Sequence, residues 1–203
     1  RWDLKIGRQV LTWGTGQYLF LNDMFPKDWQ SFFAGRDDEY LKAPSTALKA
    51  SYFGNAFNLD LVWIPEFSID RFVTGERFSF FDTASASQQA PSPPLGAELP
   101  DDDLEDTEIA LRLFNTVGAM EYALYGYRGY WKTPQGRRDN GLAYYPRLNV
   151  WGASLRGPVS AGIGNVELAW FDSREDRNGD NPAVANSQVR LLLGYEQEIR
   201  PRL

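Results

Sequence analysis

The chain of 203 residues has no cysteine and no histidine. Without cysteine there are neither disulfides nor thiolate metal ligands. Without histidine there is no Ser-His or Cys-His dyad, no imidazole metal site and none of the commonest general base. That speaks against lipases and proteases built on histidine. It leaves an enzyme only carboxylate chemistry, with Asp37, Asp38 and Glu39 as its candidates. No catalytic residue, cofactor or metal ligand is therefore assigned. Long hydrophobic runs are missing too, since nothing approaches the ~18 consecutive apolar residues of a transmembrane helix. Barrel strands stay open, because they are short and only half apolar. A net charge of −6 with a pI near 4.8 argues against general nucleic-acid binding. No signal peptide is recognisable. The start at Arg1 and the end at Leu203, just after a strand-like run, read as a piece of a longer protein.

Aromatic residues, by contrast, make up 15% of the chain. The interfacial girdles of a membrane barrel would account for them. So would the core of a soluble aromatic-rich β-sandwich, with surface Trp and Tyr stacking on carbohydrate. The stretch from Ser45 to Phe67 favours the barrel. Phe57, Leu59, Leu61 and Trp63 share one parity, and Asn58 and Asp60 the other. Before the turn at 53–56, Leu48, Ala50 and Tyr52 alternate with Lys49 and Ser51. Strand side chains point alternately to opposite faces. Each run thus has an apolar face and a polar face with a charge at its middle, which suits lipid outside and water inside.

The same alternation predicts strands over Trp2 to Trp13, Glu108 to Thr116, Met120 to Trp131, Leu148 to Arg156, Gly164 to Phe171 and Gln188 to Glu196. Facing is ambiguous in the run from Met120, where Ala123, Tyr125 and Tyr127 oppose Tyr122, Leu124 and Arg128. Gly157-Pro158 reads as a strand break. The connections alternate long (14–44), short (53–56), long (67–107), short (117–119), medium (132–146), short (157–162) and medium (172–187). Outer-membrane barrels place short turns at one end and long loops at the other, whereas a Greek-key sandwich has no reason to. In hydrocarbon every backbone polar group must be paired, so such a sheet has to close. The expected fold is an all-β, antiparallel up-and-down transmembrane β-barrel, with these eight strands part of a larger set.

The 14–44 connection carries too many apolar groups to sit bare in water. It is expected either to fold into the lumen or to pack on external loops, with a short helix at Lys27 to Phe33. The 67–107 connection reads as a long mobile acidic loop, with a linker-like tract from Thr83 to Pro94. Its acid run from Asp101 to Asp106 and the Asp/Asn/Gly-rich loop from Asp172 to Ser187 have oxygen ligands for a divalent cation. They lack the ligand spacing of a calcium loop, so polar surface is the preferred reading.

The inward faces carry Lys5, Lys49, Arg112, Arg156 and Arg190 against Asp60, Glu167 and Glu196. That predicts a mildly electropositive lumen suited to anionic solutes, unless the charges pair across strands and merely fill the interior. Arg8 falls on the apolar parity, which a bulge near Gly7 or a place at the membrane interface would explain. Arg8, Arg36, Asp37 and Asp38 are the constriction candidates if the first long connection folds inward.

Three motifs carry a family resemblance: Gly7-Arg8-Gln9-Val10-Leu11-Thr12-Trp13-Gly14, Leu41-Lys42-Ala43-Pro44 before a strand, and Asn58-Leu59-Asp60-Leu61. With them the chain resembles a bacterial outer-membrane porin-like family, domain-of-unknown-function family 1302, and more loosely the alginate-export-type porins. The resemblance covers the first third, and beyond it only the strand-and-loop pattern. It implies an outer-membrane β-barrel of more than eight strands and no catalytic residues. The expected function is passive or weakly selective passage of small solutes, anionic or hydrophobic, with membrane lipid and the solute as partners. The alternatives are a non-conducting barrel that scaffolds a partner protein, and the soluble sandwich.

Overall fold

The computed structural model describes residues 1–83, 85–93, 95–101 and 106–199. Eight strands form one antiparallel sheet. They are β1 (Trp2–Val10), β2 (Pro44–Phe53), β3 (Asn58–Ile64), β4 (Glu108–Val117), β5 (Met120–Tyr130), β6 (Arg147–Val159), β7 (Gly162–Ser173) and β8 (Gln188–Glu196). Each pairs with the next in sequence, so the sheet is a meander. The expected all-β, antiparallel up-and-down order is present. The end strands β1 and β8 do not pair, so the sheet is not closed. Residues 54–57, 118–119 and 160–161 make the short turns at one end, and 11–43, 65–107, 131–146 and 174–187 the long connections at the other.

Two strand boundaries and one local feature differ from the sequence reading. β1 stops at Val10, because Leu11 and Trp13 leave the ladder for the core, at 4% and 6% exposure. No bulge forms at Gly7: pairing runs unbroken from Trp2↔Tyr52 to Val10↔Pro44. Gly7 accommodates this with a φ of 115°, a conformation that glycine adopts without the penalty of a side chain. β6 continues through Gly157-Pro158 to Val159. Pro158 lies beyond the last β5 partner, Arg156↔Glu121, and pairs only with Ile163 of β7. A residue with one free edge is where a missing N–H does least harm.

Register aligns the apolar parity across all eight strands. One outward row runs Trp2, Tyr52, Leu59, Leu113, Leu124, Ala153, Leu168, Leu191. The next runs Leu4, Ala50, Leu61, Leu111, Gly126, Trp151, Trp170, Val189. These side chains face open space: Trp151 is 57% exposed, Leu168 49% and Leu191 62%. In β1–β4 the apolar row above them is Ile6, Leu48, Trp63 and Ile109. In β5–β7 that row turns polar, with Arg128, Asn149 and Asp172. In β5–β8 the third apolar row lies below instead, at Tyr122, Leu155, Val166 and Leu193. The belt therefore runs oblique to the hydrogen-bond ladder, as strands tilted against a flat apolar layer require.

The opposite face has two zones. Near the long connections Ala47, Val62, Ile64, Ala110, Tyr127, Leu148, Val150 and Phe171 are buried with Leu11, Trp13, Leu21, Met24 and Phe25 of the first connection. The polar inward face expected from Asn58 and Asp60 thus holds only in part, since even toward the short turns Phe114, Ala123 and Tyr125 share that face. Residues 11–43 lie across the apolar zone, bringing Phe25 to 1% exposure. Burying a phenylalanine is worth ~2–3 kcal/mol, and Trp13 meets it edge-on at 4.9 Å. Within this segment α1 (Trp29–Phe33) is capped by Asp28, whose carboxylate accepts from Ser31 N at 2.9 Å.

In the second connection the start of the tract read as a linker, Thr83 to Pro94, belongs to a small hairpin in which Ser87–Gln89 pairs with Phe80–Asp82. The Asp82 carboxylate fastens it, accepting from Ser85 N at 3.1 Å and Ser85 Oγ at 2.6 Å. Ala97–Glu98 runs parallel to Ala143–Tyr144. Residues 102–105 of the acid run lie outside the described residues.

Candidate functional site: the inward face and its covering segment

Several of the predicted inward charges are neutralised locally. Lys49 pairs with Asp60 at 3.1 Å, and Ser51 Oγ also donates to Asp60, at 2.5 Å. Arg112 reaches Glu121 at 3.4 Å and lies over the Phe114 ring at 4.2 Å. Alternation places Lys49, Asp60 and Arg112 on one face; for Glu121, in the run whose facing is ambiguous, it does not reveal the partnership with Arg112.

Glu167 is not open to an aqueous interior. It is 1% exposed, and the covering segment wraps its carboxylate. Thr15 N and Oγ1 and Gly16 N donate to Oε1, while Asn22 N and Nδ2 donate to Oε2, at 3.2 and 2.8 Å. Gly14 makes this approach possible with a φ of +76°, and a Cβ there would come within 3.0 Å of Oε1. The carboxylate fixes the fold-back of residues 14–22.

Three charges are left without a carboxylate partner among the described residues. Lys5 faces Lys49 directly in register and stays exposed, since like charges opposite one another repel. Arg156 sits half-buried between Glu121 and Asn165 in the register but forms no ion pair. Arg190 is half-buried and lies over the Phe171 ring at 4.0 Å. Glu196, at the end of β8, accepts only a long bond of 3.4 Å from Gln17 Nε2.

The constriction candidates are scattered. Arg8 keeps the outward parity, opposite Thr46, and is exposed. Arg36, Asp37 and Asp38 sit exposed in the covering segment. Arg36 stacks on Tyr40 at 3.7 Å, and Asp38 accepts from the Tyr18 hydroxyl. Arg36 and Asp38 line an open cavity of about 800 Å³ beside Val10, Lys42 and Pro44.

A buried ionic cluster at the long-loop end escaped sequence reasoning. Glu108, 0% exposed, accepts Lys132 Nζ on both oxygens at 2.7 Å and also takes the Tyr127 hydroxyl. Lys27, 3% exposed, pairs with Asp23 at 3.1 Å. Burial pushes the Lys27 ammonium below its ordinary pKa, and Asp23 only partly restores it. Asp70 accepts from Lys27 N at 2.7 Å and Trp29 Nε1 at 3.2 Å. Burial nonetheless raises its pKa. Each of these charges stands at a strand end or in a connection, where alternation carries no signal.

Among the described residues no group of three or more Asp or Glu side chains is placed to hold a metal ion. Comparison with protein-family models, curated proteins and solved structures returns no match.

Proposed function

We propose that this chain is part of the wall of an outer-membrane β-barrel of the porin-like kind its motifs resemble, and that it passes small solutes, anionic or hydrophobic. The oblique apolar belt facing outward across all eight strands carries the reading. A water-facing sheet would not align Leu, Val and Trp in three successive rows, because an exposed apolar patch of that extent demands a partner. The sandwich alternative needs a second sheet stacked on those rows, and no such sheet is found among the described residues. For a barrel to close, the free edges of β1 and β8 have to be paired. Lys5, Arg156 and Arg190 supply the electropositive bias on the inward face. A scaffold barrel that conducts nothing is the second reading, favoured by the covering segment packed over the apolar zone. Currents across planar bilayers separate the two, since a scaffold gives none. Heat-modifiable gel mobility with β-type circular dichroism in detergent tests the barrel itself.

A further inference from the structure

Between Phe20 and Trp29 of the covering segment and Trp131, Phe171 and Arg190 beside it lies a cavity of about 360 Å³. Its lining mixes aromatic rings with charged and polar groups. Two of its cations are already engaged, Lys27 by Asp23 at 3.1 Å and Lys132 by Glu108 at 2.7 Å. Its two carboxylates are also engaged. Asp23 accepts from Thr12 Oγ1 at 2.8 Å as well as pairing with Lys27, and Asp70 takes Lys27 N and Trp29 Nε1.

Arg190 is different. Its guanidinium lies 4.0 Å over Phe171 and 5.4 Å from Trp131, and Nε donates to Gln188 Oε1 at 3.1 Å. No carboxylate among the described residues pairs with it. Beside it Trp131 is 5% exposed, and its Nε1–H is closed off from solvent with no acceptor among the described residues. The guanidinium fork alone therefore faces the cavity as a free donor; it asks for a planar group with two acceptor oxygens, and the rings of Phe20, Trp29 and Phe171 ask for a flat apolar body. A dianion fits poorly, with one uncompensated cation facing Asp23 and Asp70.

We propose that this cavity binds small aromatic monocarboxylates, with Arg190 holding the carboxylate and Phe20, Trp29 and Phe171 the ring. Its role as the selective station for such solutes in passage rests on the channel reading. The full chain in detergent is titrated with benzoate, benzamide and acetate by calorimetry. Saturable benzoate binding is expected, with benzamide and acetate roughly tenfold weaker or worse. Arg190→Gln lowers benzoate affinity by about the same factor and leaves benzamide unchanged, and Arg190→Lys recovers part of the loss. The proposal is overturned if benzamide matches benzoate, if no saturation is reached in the millimolar range, or if Arg190→Gln leaves benzoate binding unchanged. Quenching of the outward tryptophans by brominated lipid, read on the same protein in vesicles, separates this from the channel reading. Quenching without benzoate binding sinks the cavity alone. Benzoate binding without quenching keeps the cavity and sinks the membrane wall.

Discussion

Asn22 and Glu167 stand 145 residues apart in the chain, yet Asn22 Nδ2 donates to the Glu167 carboxylate at 2.8 Å. The bond belongs to the set that holds the covering segment on β7. Glu167→Ala removes the acceptor and leaves Asn22 N buried, and Thr15 N and Gly16 N part-buried, without it. The buried donor costs ~1–3 kcal/mol and the part-buried ones less, so the variant should lose a few kcal/mol locally. The expected outcome is faster amide hydrogen exchange over residues 14–25, with the strands unchanged. Unaltered exchange there would show that the apolar contacts of Trp13 and Phe25 hold the segment by themselves.

The outward belt makes a prediction that water and lipid answer oppositely. Leu124 is 55% exposed, in the middle of the belt. If the belt faces hydrocarbon, Leu124→Arg destabilises the protein folded in vesicles by ~2–4 kcal/mol. On a water-facing surface the same change stays within about 0.5 kcal/mol. Urea unfolding from vesicles reads the difference directly. A near-zero value would remove the membrane account.

Most of the sheet was legible because alternation is a local signal. Leu59, Leu61 and Trp63 announce their face without knowing their neighbours, and register then follows from the short turns. Inward contents were less legible. Val62, Ile64 and Val150 share the parity of Asp60 and Ser154 but lie under residues 11–43, and nothing local tells an inward valine meeting a folded-back loop from one meeting water. The ionic pairs were least visible. Glu108 and Lys132, or Lys27 and Asp23, are joined by the path of the long connections and not by any periodicity. The edges of the sheet are likewise beyond such reasoning, since pairing beyond β1 and β8 depends on strands that eight alternating runs do not specify.

Asp70 gives the long-loop end a pH dependence. Burial raises its pKa above the ordinary 3.8. Between that value and the raised one the folded chain holds a proton that the unfolded chain has lost, so stability falls as pH rises through the window. Asp70→Asn removes this slope while keeping an acceptor for Lys27 N or Trp29 Nε1. The stability of the variant relative to the parent should therefore increase as pH climbs from 3.8 through the window. Urea midpoints across the acid range in detergent test it. Parallel profiles would mean that Asp70 is ionised in the fold at its ordinary pH.

Lys49 and Arg156 both point inward, but only Lys49 has a counter-ion, Asp60 at 3.1 Å. A neutralised pair contributes little to the field felt by a passing ion, whereas the unpaired guanidinium of Arg156 contributes fully. Arg156→Gln should therefore move the reversal potential in a salt gradient further toward cation preference than Lys49→Gln does, each removing one positive charge. Lys49→Glu sets two carboxylates side by side, so its main effect should be lost stability through like-charge repulsion. The ordering of Arg156→Gln above Lys49→Gln is the decisive reading. Equal shifts would mean that solvent screens the Lys49–Asp60 pair as fully as it does a lone charge, and a larger shift for Lys49→Gln would place the conducting path along β2 and β3, away from β6.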